Sequence, residues 1–470
     1  MGRMKIYLIG IGGIAMCGVA GILKESGFKV YGSEKERIYP PSSEVLEKLK
    51  ISIYRFDPKN IEKIKPSAII VGNSIKRNHP EILLAQELGI PLYSFPKFLM
   101  KFILKNKKII LCAGTHGKSS VSGLLGYTLE ILGMDPTYLV GAVLKHNFLN
   151  YRIGKSFWAV LEGDEYPASF FDKKAKFLYY NPFSIILTAL EYDHADVYPD
   201  IESLKDTFKE LIKLVPKEGI IVYNKDDENL KELLKSNDFE AKVISYGKNS
   251  LADFVLLKSE TTFEKEKFIN KVVVDTPFQK NLEFVLNLPG EYNALNALSV
   301  IALLYGLELH FCDWKFAFEN FPGIRRRQEV LYSNHNLVVI DDFAHHPTAV
   351  KETLKELIKS IKPERTVVIF EPRTNSSKRK IFQEEYVNSL SFADEIYLKI
   401  PPGLETIPEI ERIDMCYLSQ SLKNKGKEVY FLKDKFPNFK NVLQKTLIVF
   451  MSSAYFEEIK KLEKYFKNEG

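Results

Sequence analysis

The 470 residues are 45% hydrophobic and 27% charged, enough apolar material for several cores and too much for a disordered or collagen-like chain. At roughly 100 to 200 residues per domain the length predicts three domains. The formal charge of +6 is spread along the chain without an aromatic-interleaved basic motif, so nucleic acid is not an expected partner; basic runs such as Lys105 to Lys108 read as solvated surface.

In chain order, Met4 to Gly10 is a short apolar run ending in glycines, followed by a helical pattern to about Ser26 and a strand from Phe28 to Tyr31. Ala68 to Val71 and the Gly89-Ile90-Pro91 turn continue this α/β alternation, and the first domain is expected to span residues 1–106. A second domain, 107–327, opens with the strand Ile109 to Ala113 and a helix from Lys118 to about Leu132, which Gly133 stops. The strands Trp158 to Leu161, Ser184 to Leu187 and Ile220 to Tyr223 follow, and a helix runs from about Asn293 to Leu304. Between Phe254 and Leu288 the alternation predicts an antiparallel side sheet. In residues 328–470, strand and helix patterns alternate again from Leu337 through Phe450, predicting a third, doubly wound domain.

No apolar run reaches the roughly 20 residues of a membrane-spanning helix, and the start reads as a strand rather than a leader, so a cytoplasmic protein is expected. Cys17, Cys112, Cys312 and Cys416 are far apart, without CxxC spacing, which argues against a zinc cluster or a disulfide framework. Cys17 and Cys112 read as small packing residues.

Two glycine turns carry the first chemistry. Gly10, Gly12, Gly13, Ile14 and Ala15 satisfy G-x-G-x-x-G/A between strand and helix, where small residues let a phosphate approach the backbone. With Glu34 about 20 residues on, the turn suits NAD as well as another diphosphate. Gly114, Thr115, His116, Gly117, Lys118, Ser119 and Ser120 follow a buried-type strand and open a helix, placing amides, an ammonium and hydroxyls around a triphosphate and magnesium. Cys112 stands five before Gly117, so the motif is a shortened form of the common G-x4-G-K-S/T turn.

Acidic strand ends come next. Glu162-Gly163-Asp164-Glu165 ends the strand Trp158 to Leu161, where a hard cation finds oxygen ligands, and Glu191-Tyr192-Asp193-His194 ends another strand of the same domain. Asn293 and Asn296, three apart at a helix start, either reach an adenine edge or cap the helix. Arg325, Arg326 and Arg327 could meet a γ-phosphate or remain solvated. Asp341-Asp342-Phe343-Ala344-His345-His346-Pro347 ends a strand before a helix, where paired histidines read as a metal site or a surface turn.

Taken in order, GIGGIA, GTHGKSS, EGDE, EYDH, GEYNALN, GIRRRQE and DDFAHHPTA resemble the Mur ligase family of peptidoglycan synthesis across nearly the whole chain. The resemblance implies a Rossmann-like first domain for a UDP-sugar, a central P-loop-type ATP domain and a Rossmann-like third domain for the incoming amine. It further implies that Lys118 and Ser119 contact triphosphate and magnesium, Glu162 and His194 hold metal, Asn293 and Asn296 lie near adenine, Arg327 meets phosphate and Asp342 holds ribose. Lys118, Glu162, His194 and Arg327 would be the catalytic set, with ATP and magnesium as cofactors. The runs Glu162 to Lys174, Asp341 to Ala349 and Glu371 to Asn375 resemble the branch joining L-Ala-γ-D-Glu-meso-diaminopimelate to UDP-N-acetylmuramate more than the branch adding L-alanine. Departures are Tyr292 in place of His, Ser119 in place of Thr, and Thr188-Ala189 in place of Asn-Asn. Lys205 and Lys209 lie in the region where several members carry a carbamylated lysine. The rival expectations are an NAD-dependent oxidoreductase, which has no use for Lys118, and a nucleotide-binding protein without turnover.

Overall fold

In a computed structural model of the protein, described over residues 4–235, 238–309, 313–433, 435–437 and 442–460, three α/β units follow one another. The first is a parallel sheet of β1 (Lys5–Ile9), β2 (Lys29–Glu34), β3 (Ser52–Arg55), β4 (Ala68–Val71) and β5 (Leu92–Tyr93) in the order β3-β2-β1-β4-β5. Strand period sends Ile6 and Leu8 of β1 into one core, with the helices Ile14–Glu25 and Phe95–Phe102, and Tyr7 and Ile9 into another. That two-sided burial explains why β1 reads as a continuous apolar run.

The second unit carries β6 (Lys108–Ala113), β7 (Thr137–Leu144), β8 (Leu149–Arg152), β9 (Trp158–Glu162), β10 (Pro167–Ser169), β11 (Asp172–Ala175), β12 (Ser184–Leu187), β13 (Ile220–Asn224), β14 (Lys242–Gly247), β15 (Phe254–Glu264), β16 (Lys267–Asp275) and β17 (Leu282–Leu286). Ten of these form one sheet, β17-β16-β15-β14-β13-β12-β6-β9-β7-β8, while β10 and β11 pair separately. The predicted antiparallel strands are present, but as an extension of the parallel sheet: the start of β15 pairs in parallel with the end of β14, and β15, β16 and β17 then run antiparallel. The β7–β8 hairpin at the opposite edge is not among the predicted strands. The helices Lys118–Ile131 and Glu291–Gly306 pack against each other and on the sheet.

The third unit contains β18 (Glu329–Ser333), β19 (Leu337–Asp342), β20 (Arg365–Phe370), β21 (Glu395–Leu398), β22 (Glu428–Phe431) and β23 (Thr446–Met451), ordered β18-β19-β23-β20-β21-β22 with only β18 antiparallel. The first and second units meet where the helix Ile14–Glu25 lies on the β7–β8 hairpin. Tyr151 Oη donates to Glu25 at 2.6 Å and Asn150 Nδ2 to the Ile14 carbonyl at 2.8 Å. A Cβ at Gly21 would sit 2.1 Å from the Tyr151 ring, so only glycine permits this approach.

No helix among the described residues is long and apolar enough to cross a membrane. Cys17, Cys112 and Cys416 are free; Cys312 lies outside the described residues. Burial pushes the Cys17 thiol up to about 12 and raises Cys112 further, so both behave as packing residues rather than nucleophiles. The Lys105 to Lys108 run is not simply solvated. Lys107 Nζ donates to the carbonyls of Gly154 and Ser156, and Lys108 Nζ lies 4.5 Å from the centre of the Phe183 ring. Lysine stems cover apolar surface while their ammonium groups find partners, which a one-dimensional charge count misses.

Candidate active site

The glycine turn after β6 is held from below by the segment after β12. The Thr115 amide donates to the Ala189 carbonyl at 2.9 Å, and Thr188 Oγ1 donates to the carbonyls of Ala113 and His116. Gly114 has φ +137, and a Cβ there would lie 2.2 Å from Thr188 Oγ1. Thr188 and Ala189, the departure noted in the sequence, thus support the turn. Gly117 (φ +80) is the N-cap of the helix Lys118–Ile131, so the helix N-terminus and its free amides point at the turn's concavity.

Four acidic groups and a histidine converge on this helix start. Glu162, at the end of β9, accepts from Ser119 Oγ at 3.0 Å and from the Gly141 amide at 2.6 Å. Glu165 is fully buried; it takes Lys118 Nζ on both oxygens at 2.9 Å, and its Oε1 lies 2.7 Å from His194 Nε2. Asp164 pairs with Lys176 at 2.6 Å, and Asp193 Oδ1 accepts from the His194 amide at 2.6 Å. Burial works against the Lys118 ammonium, but Glu165, Asp164 and Glu162 outweigh it and its pKa is raised. Burial raises Glu162 despite Lys118, whereas Lys118 and His194 overcome burial at Glu165 and lower it. The His194 pKa is raised, because the Glu165 and Asp193 carboxylates outweigh its burial.

The remaining predicted residues approach from two sides. A Cβ at Gly117 would lie 2.8 Å from Asn296 Oδ1, and Asn296 Nδ2 donates to Asn293 Oδ1 at 3.3 Å. Asn293 donates to the Pro289 carbonyl at 2.7 Å; the N-cap of its helix is Gly290, so neither asparagine caps it. Asp342, buried at the end of β19, accepts from the Gln328 and Ala344 amides at 2.8 and 2.7 Å. The Arg327 guanidinium lies 4.7 Å from the centre of the Phe343 ring, and its charge is felt by both Glu162 and Asp342. The three arginines divide sharply. Arg325 reaches Glu44 of the first unit at 2.8 Å, and Arg326 is buried against Asp341 and the carbonyls of Ser452, Ser453 and Ala454. Arg327 alone turns to the acidic end of the site. Ser120 is half-buried in the first turn of its helix.

Ser119 Oγ and Glu162 place hard oxygen donors together beside the phosphate turn, a set that fits magnesium. His194 spends its Nε2 on Glu165, leaving Nδ1, 3.8 Å from Asp193, as the nitrogen not held by a close partner. Lys205 pairs with Glu202 and Glu232, and Lys209 with Asp206, so neither lysine joins this cluster. Glu165 was not singled out from sequence; its signal was the third carboxylate of the Glu162-Gly163-Asp164-Glu165 run, whose partner could be read only from the fold.

The other glycine turn lies beside the β7–β8 hairpin, through the Asn150 bond to Ile14. Gly10 has φ +78, and Gly13 is the N-cap of the helix Ile14–Glu25. Glu34 Oε2 accepts from the Gly12 amide at 2.8 Å, while a Cβ at Gly13 would meet nothing within 4 Å. The acid that a dinucleotide protein extends toward a ribose is here folded onto the turn, and the open space lies over Gly13, with Ile14 and Ala15 half-buried beside it. In the third unit, the loop after β20 holds Arg373, Lys378 and Arg379. Asn375 Nδ2 donates across to Asp196 of the second unit at 2.9 Å. A cleft of about 790 Å³ opens here between Lys380, Ile400, Leu404, Arg412 and Cys416.

Three family models match the chain in order: Mur ligase family, catalytic domain, over residues 5–107; Mur ligase middle domain over 112–304; and Mur ligase, glutamate ligase domain, over 326–449. The chain is 33% identical over 400 residues, 85% of each chain, to the UDP-N-acetylmuramate:L-alanyl-γ-D-glutamyl-meso-2,6-diaminoheptandioate ligase of Escherichia coli. It is 35% identical over 396 residues to the UDP-N-acetylmuramate:L-alanine ligase of Caldicellulosiruptor saccharolyticus, covering 83% of this chain and 82% of the relative. Its fold matches the crystal structure of a UDP-N-acetylmuramate:alanine ligase from Thermotoga maritima with a TM-score of 0.80 at 24% identity over 99% of both chains.

Proposed function

The chain belongs to the Mur ligase family, and from that premise we propose that it joins the tripeptide L-Ala-γ-D-Glu-meso-diaminopimelate to UDP-N-acetylmuramate. It is an ATP-dependent, ADP-forming amide ligase of peptidoglycan synthesis. The acceptor is the step beyond that statement. The observation that carries it is the run Arg373, Lys378, Arg379 and Lys380 beyond β20, where Arg373 pairs with Glu371, Arg379 with Glu411, and Lys380 enters a cleft of about 790 Å³ that Arg412, Glu405, Glu409 and Asp414 also line. The tripeptide brings three carboxylates to exchange for those acidic partners and alanine only one, and the space suits the larger acceptor.

In this reading the muramyl carboxylate attacks the γ-phosphorus of ATP, ADP leaves, and the peptide's alanyl amine displaces phosphate from the acyl phosphate through a tetrahedral intermediate. Lys118 and Arg327 bring positive charge to the transferring phosphoryl group, and the amides of residues 114–119 hold the triphosphate. Magnesium, held by Ser119 and Glu162 with His194 alongside, supplies further charge neutralisation when bound. Asn293 and Asn296 face the adenine side, Asp342 the ribose, and the Gly10 to Ala15 turn the uridine diphosphate. A cytoplasmic location fits ATP and a nucleotide-linked sugar as substrates.

The alanine-adding reading draws on the 35% identity to a ligase of that kind. The two are separated by phosphate release from ATP with UDP-N-acetylmuramate and magnesium, offering L-alanine or the tripeptide and weighing the product. Turnover with the tripeptide and none with alanine is expected. Turnover with alanine alone would overturn the acceptor and leave the ligase assignment intact.

A further inference from the structure

At the phosphate turn, three side chains from three segments meet. His116 comes from the turn, Glu191 from the segment after β12, and His346 from the start of the helix Pro347–Ile361 in the third unit. One ligand atom of each lies within 4.8 Å of the others. His116 Nε2 is 3.2 Å from Glu191 Oε2, and His346 Nδ1 is 4.0 Å from the same oxygen. Thr348 Oγ1 also donates to that oxygen, at 3.1 Å. His346 is 8% exposed, and its Nε2 is buried with no partner among the described residues. None of the three belongs to the carboxylates facing Lys118.

We propose that His116, Glu191 and His346 form a binding site for a transition-metal ion of the zinc class, which ties the third unit to the phosphate turn of the second. Two imidazoles and a carboxylate are the donor set that a zinc-class ion takes when one position stays open to water. Magnesium, which wants near-octahedral oxygen, is poorly served by it. Ligands about 2.1 Å from a tetrahedral ion stand roughly 3.3 Å apart, so the His116 to Glu191 distance already fits, while His346 must close in by about 1.5 Å where the set is widest. Glu191 is 41% exposed, which gives the ion a path from solvent. Because the ligands come from two units, occupancy favours their closed arrangement.

The test is titration of the metal-free full chain with cobalt ion, without nucleotide or acceptor, reading the visible ligand-field absorption, and with zinc ion, reading the melting temperature. One cobalt ion per chain is expected, retained in excess magnesium and in Glu162→Gln. Its affinity should fall by more than about tenfold in Glu191→Gln and in His346→Asn. Asparagine keeps a cap acceptor at position 346; should that variant still fail to fold, Glu191→Gln at a part-exposed position decides alone. Absence of binding, displacement by magnesium, equal loss in Glu162→Gln, or unchanged affinity in Glu191→Gln would each overturn the site. Since the measurement needs no turnover, failure of the acceptor assignment leaves it untouched.

Discussion

Glu165 holds Lys118 by both carboxylate oxygens, each 2.9 Å from Nζ, and the pair is largely buried, Glu165 completely, at the start of the helix that follows the second glycine turn. A lysine so held has one position rather than a swarm of rotamers, and its charge is fixed before nucleotide arrives. The same carboxylate reaches His194, so one buried acid orders two of the residues on which the proposed chemistry depends.

Replacing Lys118 by alanine is expected to lower kcat by about 1,000-fold or more, the scale of losing a transition-state charge partner. It also leaves Glu165 buried with only His194, costing about 3 kcal/mol of stability while the fold survives. Glu165→Gln should keep the fold and lower the pKa of His194, because the carboxylate that raises it is gone. Steady-state kinetics, thermal melting and NMR titration of the His194 ring check these outcomes; near-normal turnover by Lys118→Ala would sink the role given to the turn.

Neighbouring arginines are expected to fail differently. Arg326→Ala strips Asp341 of its buried partner and frees three carbonyls, so a loss of about 3 to 5 kcal/mol is expected in denaturant unfolding. Arg327→Ala should change stability by less than about 1 kcal/mol and depress turnover strongly, as a charge aimed at the site rather than at the core. Equal destabilisation by the two would contradict this division.

Glycine positions in the two turns offer a matched contrast. Gly114→Ala forces a methyl to within 2.2 Å of Thr188 Oγ1 and 2.8 Å of the Ala189 carbonyl, at a φ of +137. Loss of nucleotide binding and at least about 2 kcal/mol of stability should follow, by calorimetry and melting. Gly13→Ala, with φ −69 and nothing within 4 Å, should fold within about 0.5 kcal/mol of the parent.

Acid should loosen the chain through His345 and His346. Burial holds both near a pKa of about 4, against the pull of Asp193 on both and of Glu191 on His346, while His116 pushes with burial at both. Since their unfolded value is about 6.5, the unfolded chain binds more protons between about pH 6.5 and 4. The stability they contribute is therefore complete above about 6.5 and lost progressively as pH falls toward 4. Melting temperature in metal-free buffer is expected to drop across that window, and less so in a His345→Gln/His346→Asn double variant.

Much of this was legible in the residues themselves. A glycine-bearing turn between a buried strand and a helix is a local pattern, so the Gly114 to Gly117 turn and the helix from Lys118 could be placed before any contact was known. The buried strands at Ala68–Val71 and Ser184–Leu187 declared themselves by apolar runs bounded by turns. The edge hairpin β7–β8 did not, because Gly141 and the short Lys145 to Phe148 connection blur its alternation. Nor could sequence divide the arginines, whose identical side chains differ only in what surrounds them. It could not pair Glu165 with Lys118 across 47 positions, nor bring His346 to Glu191 from another unit. Local propensity and periodicity act over a few residues and so fix turns, strands and helices. Which charges neutralise one another is decided by burial, since only where water is excluded does an unpaired charge cost enough to dictate its partner.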